Sequence, residues 1–177
     1  LNRLIDHEIE LAKSGKQGRI ILKMNALQDP AMIASLYEAS QTGVRIDLIV
    51  RGICCLIPGR KYSRNIRVTR IVDTFLEHAR VWYFGNGGKP KLFLGSPDWL
   101  RRDLYRRIEA VSPILDPDLK RELSDMLSIQ LSDKRKACFV DDHLRNRWKS
   151  ARPQKEKVRA QYTFYEYLKS GELRVES

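Results

Sequence analysis

The sequence predicts a single α/β domain built on a mixed sheet flanked by helices, and three observations carry that expectation. The chain of 177 residues is in the size range of one domain, and 42% apolar with 31% charged residues describes a globular protein able to bury a core. Up to Arg51 the apolar pattern runs helix, strand, helix, strand, an order that implies right-handed crossovers and parallel pairing. Further on, Gly85-Asn86-Gly87-Gly88 lies between two apolar runs and reads as a hairpin turn, which adds antiparallel strands.

In residues 1–14, Leu1, Leu4, Ile5, Ile9 and Ala12 share one face at helical spacing, and Gly15 closes the helix. His7 belongs to this helix and has no partner near it in sequence. Residues 19–23 (Arg-Ile-Ile-Leu-Lys) form a short buried strand. Asp29 and Pro30 are an N-cap and first-turn pair opening a helix that presents Met32, Ile33, Leu36 and Tyr37 and stops at Gly43. The β-branched run 46–50 is a second buried strand. It delivers Arg51 at its end, where Gly52 lets the backbone turn sharply.

Residues 58–65 form a basic loop. Val68, Ile71, Val72, Phe75, Leu76 and Ala79 then share a helical face, which predicts a helix ending near His78, with Arg67 and Arg70 off that face. Strands at 81–84 and 92–94 flank the hairpin turn, and another is expected within 108–114. Asp116-Pro117 is a second cap pair, starting a helix through Leu119, Leu123, Met126, Leu127 and Leu131. Residues 137–140 are a last short strand ending at Asp141-Asp142. From Arg145 to Arg159, seven basic residues, one acidic residue and Pro153 without apolar periodicity read as a flexible, solvated segment. Tyr162, Tyr165 and Leu168 suit an amphipathic turn or two. The chain thus divides into a folded domain, 1–142, and a basic, partly flexible extension, 143–177.

With 33 Lys and Arg against 22 Asp and Glu, the net charge of +11 favours polyanionic partners: polyphosphate, nucleotides, nucleic acid or an anionic membrane surface. No apolar run approaches the ~18 residues needed to cross a bilayer. The start, Leu1-Asn2-Arg3-Leu4, has neither an initiator Met nor a signal-peptide pattern and reads as a boundary inside a longer protein. Cys54, Cys55 and Cys138 lack the number and spacing of a disulfide framework or metal site, which points to reduced structural thiols in a cytoplasmic protein.

The candidate chemistry is phosphate handling. Lys23 and Arg51 end successive strands, and in open α/β sheets ligands collect beyond the carboxyl ends of strands. Arginine is a natural bidentate partner for phosphate. The competing reading is two solvated strand-end cations. There is no Gly-x4-Gly-Lys-Ser/Thr loop and no Gly-x-Gly-x-x-Gly fingerprint, which excludes P-loop and Rossmann sites, and the acidic residues form no evident metal cage. His78 at an element junction is an ordinary capping position, yet its residue type exchanges a proton near neutral pH. Ser96 suits either a helix cap or a phosphate contact, and Trp99 suits the core.

Five words in order resemble the bacterial polyphosphate kinases of the long, histidine-phosphorylated class. They are Lys23-Met24-Asn25-Ala26-Leu27, then Leu48 to Leu56 (Leu-Ile-Val-Arg-Gly-Ile-Cys-Cys-Leu), Asn65-Ile66-Arg67-Val68, and Phe75-Leu76-Glu77-His78. The fifth is Asn86-Gly87-Gly88 followed by Leu94-Gly95-Ser96-Pro97-Asp98-Trp99. In addition, His78-x-Arg80 followed by Gly95-Ser96-x-Asp98 is similar to the phospholipase D half-site, His-x-Lys with Gly-Ser-x-Asn. The resemblance implies a phospholipase D-like mixed sheet. It further implies a role in reversible transfer of phosphate between ATP and polyphosphate, with Mg²⁺ in the parent enzyme and ligands not identified in this chain. It places the phosphorylated histidine in an upstream domain, the second active-site histidine at His78 and the nucleotide-contacting arginine at Arg51. Lys23, Asn25, Arg67, Arg80 and Ser96 complete the expected ATP- and phosphate-binding set. Expected partners are ATP, ADP, polyphosphate, the upstream domains of the parent and, in the parent, further copies of itself; no specific nucleic acid is expected. Arg80 and Asp98 depart from the phospholipase pattern and argue against an autonomous phosphodiesterase. Two alternatives remain: a non-catalytic basic module binding nucleic acid or anionic surfaces, possible also as a peripheral membrane association, and a phospholipase D-like phosphodiesterase half-site.

Overall fold

A computed structural model describes residues 1–149 and 158–172. Its elements are α1 (Asn2–Lys13), β1 (Arg19–Met24), α2 (Pro30–Gln41), β2 (Arg45–Val50), β3 (Ile66–Ile71), β4 (Arg80–Phe84) and β5 (Lys91–Gly95). There follow α3 (Arg101–Arg106), β6 (Val111–Ile114), α4 (Pro117–Ser132), β7 (Ala137–Val140), β8 (Asn146–Trp148) and α5 (Ala160–Glu172). The eight strands form one sheet in the order β6-β5-β4-β1-β2-β3-β7-β8. β1, β2 and β3 are parallel, whereas β4 runs antiparallel to β1, β5 to β4, β6 to β5, β7 to β3 and β8 to β7. The expected mixed sheet is therefore present.

The helices divide by sheet face. α1 and α2 cover one side, where Ile5, Ile9 and Leu36 pack on Ile20, Leu22, Ile46 and Leu48. α4 and α5 cover part of the other, where Met126, Leu127, Ala160 and Phe164 meet Ile21, Ile49, Ile71 and Val81. Each fully buried Leu or Ile contributes about 1.5–3 kcal/mol, so this alternation of faces along β1 and β2 fixes their register. Both predicted caps form: Asp29 accepts from the Met32 amide at 2.9 Å, and Asp116 accepts from the Asp118 and Leu119 amides, each with Pro at the first turn. In the β4–β5 turn Asn86, Gly87 and Gly88 all have positive φ, which explains the glycines there.

The expected helix over residues 68–79 is not formed. Residues 66–71 are β3, whose β-branched Ile66, Val68, Thr69 and Ile71 suit a strand. The helical spacing was a coincidence of two different environments, because Val68 and Ile71 are buried while Val72, Phe75 and Leu76 are 60–76% exposed in an irregular loop. The flexible reading of 145–159 also fails in part: β8 extends the sheet along β7. Its three residues are all exposed, so no alternation betrays the strand. α5 then returns to the sheet, burying Ala160. The 142/143 boundary falls in the β7–β8 turn, and residues 150–157 lie outside the described ones. All three cysteines are free, with Cys55 exposed and burial pushing the Cys54 thiol up to about 11. Among the described residues no helix is long and apolar enough to cross a membrane.

Candidate active site

Strand polarity decides which residues share an edge. The carboxyl ends of β1, β2, β3 and β5 and the amino ends of β4, β6 and β7 all lie on one rim of the sheet. β3 and β4 are separated by β2 and β1, so the chain between them, residues 72–79, must run along that rim across both strands. It carries Glu77 over β1 and His78 to the end of Arg51.

Arg51 is held before any ligand arrives. Its Nε and Nη2 both donate to Asn25 Oδ1, at 2.8 and 2.5 Å, and Nη2 lies 3.5 Å from His78 Nδ1. Gly52 is needed for space: a Cβ there would sit 3.0 Å from the Asn25 carbonyl oxygen, to which the Gly52 amide donates at 2.8 Å. Arg70, from β3, donates to the Gly52 carbonyl at 2.8 Å and so closes the same turn. Among the described residues Arg51 Nη1 and His78 Nε2 have no protein hydrogen-bond partner.

The departures from the phospholipase pattern meet each other. Arg80 grips Asp98 in a two-point fork, Nε to Oδ1 at 3.2 Å and Nη2 to Oδ2 at 3.0 Å, while its Nη1 donates to the His78 carbonyl at 3.1 Å. Asp98 also accepts from the Asn25 and Ala26 amides at 2.7 and 3.1 Å. Arg80 is thus spent on Asp98 and on the backbone of His78. Burial pushes the Asp98 carboxyl up, but the Arg80 fork and the two amides outweigh it and hold it below its ordinary value. That stability is present above the ordinary carboxylate pKa of about 4 and is lost as pH falls through the lower folded value. Asp98→Asn is expected to cost about 2 kcal/mol in urea unfolding at neutral pH and to flatten the acid limb of stability below about pH 4. An acid limb identical to that of the parent sequence would contradict this role.

The other expected residues separate. Lys23, only 5% exposed, pairs with Glu77 Oε2 at 2.8 Å. The same carboxylate accepts from Gln130 and, at 3.0 Å, from Gln161. Lys23 is at the rim but already neutralised. Ser96 donates to Glu109 and accepts from the Ala110 amide at 3.0 Å, which ties the end of β5 to the approach of β6. Arg67 does not join the cluster: in register with Asp47, it lies four strand positions, ~13 Å, below Arg51 and stacks on Phe139. The basic loop 58–65 is at the opposite edge, with Arg60 bonded to Asp142. Of the three histidines, His7 is on α1 and His143 is in the β7–β8 turn at that far edge. Trp99 is fully buried, as expected. Glu77, Gln130 and Gln161 were not anticipated. Gln130 had a signal, a polar residue on the Met126–Leu127 face of α4; Gln161 had none.

The resident carboxylates do not fit a metal. Glu77 and Asp98 are each committed to a cation and to N–H donors, and among the described residues no group of three His, Cys, Asp or Glu side chains could hold an ion.

A parallel core ending in a held arginine, flanked by a reversed strand whose entry loop brings a histidine to the same rim, has the architecture of a phospholipase D-like domain. Nuc from Salmonella typhimurium, a phospholipase D family member, superposes on 73% of this chain and 87% of its own with a TM-score of 0.52 at 17% identity, a likeness of fold. The chain belongs to a more particular family: the model for polyphosphate kinase C-terminal domain 2 matches residues 1–161. The crystal structure of polyphosphate kinase from Porphyromonas gingivalis covers 97% of the chain with a TM-score of 0.94 and 55% identity, over 26% of that protein. Polyphosphate kinases of Prochlorococcus marinus and Escherichia coli are each 45% identical over 97% of the chain. The chain spans about a quarter of these relatives' length, 24% and 25%.

Proposed function

We propose that this chain supplies one half of a composite site that reversibly transfers the terminal phosphate of ATP to polyphosphate. The observation that carries the reading is the approach of Arg51 to His78 at 3.5 Å on the rim where the strands converge. Phosphoryl transfer asks the protein chiefly to position phosphates and neutralise their charge. Arg51, oriented by Asn25, offers a free edge of its guanidinium to the terminal phosphate. His78, beside it, is placed to hold or deliver a proton at the bridging oxygen of the leaving group. Arg80 and Asp98 fix the backbone on which His78 sits. The phosphorylated histidine that the family resemblance requires belongs to an upstream domain, so the chain alone lacks the covalent step. Magnesium, in this reading, arrives on the nucleotide phosphates and is not caged by the described residues of this chain. The Arg80–Asp98 ion pair disfavours the phosphodiesterase alternative, because the cation of that pattern is here locked by a carboxylate.

The test compares the 177-residue chain with the intact parent. The isolated chain is expected to bind polyphosphate and ATP weakly and with strong salt dependence, as its +11 charge requires, and to make little or no polyphosphate. Robust ATP-dependent synthesis by the chain alone, or affinity unchanged up to ~200 mM salt, would remove the proposal. Equal affinity for duplex DNA would favour a general basic module instead.

A further inference from the structure

We infer that the first turn of α5 is a positioning strap for the histidine-bearing loop, with Gln161 as its central residue. The inference rests on the reading of His78 above and extends it to a segment that meets the loop across 86 residues of sequence, from Phe75 to Gln161.

The loop 72–79 needs an external support. Among the described residues it has no main-chain to main-chain hydrogen bond, and Val72, Phe75 and Leu76 are largely exposed, so neither sheet pairing nor burial holds it. α5 supplies what is missing. The Gln161 side chain acts as a surrogate strand: its Oε1 accepts from the Phe75 amide at 2.8 Å and its Nε2 donates to the Phe75 carbonyl at 2.7 Å. The same Nε2 reaches Glu77 Oε1 at 3.0 Å, the residue next to His78. Arg159 clasps the loop's entry, donating to both oxygens of Asp73 at 2.8 and 2.7 Å and to Thr74 Oγ1 at 2.9 Å. The Asp73 carboxyl is held below its usual range mainly by that arginine.

The helix is anchored to the body by different residues. The Ala160 amide donates to Asp133 at 2.7 Å, Phe164 packs in the second core, and Tyr167 donates to Asp125 at 2.8 Å. One set of side chains therefore grips the domain and the alternate set grips the loop. A displacement of about 1 Å at a reacting group can cost on the order of 10²-fold in rate. The loop has no main-chain bonds of its own and is tied elsewhere only by side chains, Lys23 and Gln130 at Glu77, Arg80 at the His78 carbonyl and Lys136 at Asp73, so the strap completes the mount of His78 by holding the backbone at Phe75.

The experiment uses the full-length parent. Gln161→Ala is expected to speed amide hydrogen exchange at Phe75 at least about 10-fold and to lower kcat about 10-fold, with the nucleotide KM within about a factor of two. Gln161→Glu keeps the acceptor for the Phe75 amide but loses the donor to the Phe75 carbonyl and sets a carboxylate against Glu77, so exchange should speed less than in Gln161→Ala while kcat still falls. Tyr165→Ala, on the same helix and without a bond to the loop, should leave both unchanged. Unaltered Phe75 exchange and unaltered kcat in Gln161→Ala, with His78→Ala inactive, would overturn the strap alone. Normal turnover by His78→Ala would instead remove the functional reading, and the Phe75 exchange rate would still decide whether Gln161 holds the loop.

Discussion

Replacing His78 with alanine in the full-length parent should lower kcat by about 10²–10⁴-fold while nucleotide affinity stays within about threefold, the range and pattern of a group that moves a proton in the transition state. Structural damage would not account for such a loss. His78 is exposed, its ring has no hydrogen-bond partner but Arg51 among the described residues, and the loop is held through Glu77, Phe75 and Asp73. Steady-state kinetics in both directions, with a separate nucleotide-binding measurement, check it. Turnover near that of the unmodified enzyme would remove His78 from the chemistry.

Arg51→Ala is expected to act on binding as well as rate. In the proposed site it removes a pre-oriented charge from the terminal phosphate, so kcat/KM should fall by about 10²-fold or more, near 3 kcal/mol, with weaker nucleotide binding. Arg51→Lys should recover little of this. Asn25 Oδ1 is aimed at the Nε and Nη2 of a guanidinium, and an ammonium cannot both occupy that hold and present a second edge outward. A lysine variant with full affinity would show that charge alone, without orientation, is sufficient.

How much of this was legible beforehand depended on which interactions are local. Arg51 could be read because a β-branched run, a basic residue and a glycine sit together in sequence, and the cap pairs at Asp29 and Asp116 are equally local. His78 could be singled out by its family word, but its environment was misjudged. The residues before it match a helical period, and only pairing of Ile66–Thr69 with β2 reveals a strand followed by a crossing loop. The meeting of Arg51 and His78 follows from β4 running against β1, a fact of pairing that no window of sequence contains. Arg67 was placed in the phosphate-binding set by the resemblance, and the basic loop 58–65 directly precedes its strand. The parallel direction of β3 sends them to the far edge. Arg80 and Asp98 looked like two separate departures from a pattern, and space makes them a single ion pair. The loop's support from Gln161 was invisible, since a lone glutamine after a basic segment carries no local signal.

In the proposed site one terminal phosphate is shared by Arg51 and His78 at this rim. The most direct test is the structure of the full-length parent with a non-hydrolysable ATP analogue. A terminal phosphate oxygen is expected about 3 Å from the Arg51 guanidinium and another within hydrogen-bond reach of the His78 ring, with Asn25 still holding Arg51. A terminal phosphate seated instead at the opposite edge, beside Arg60 and Arg67, with Arg51 and His78 uncontacted, would contradict it.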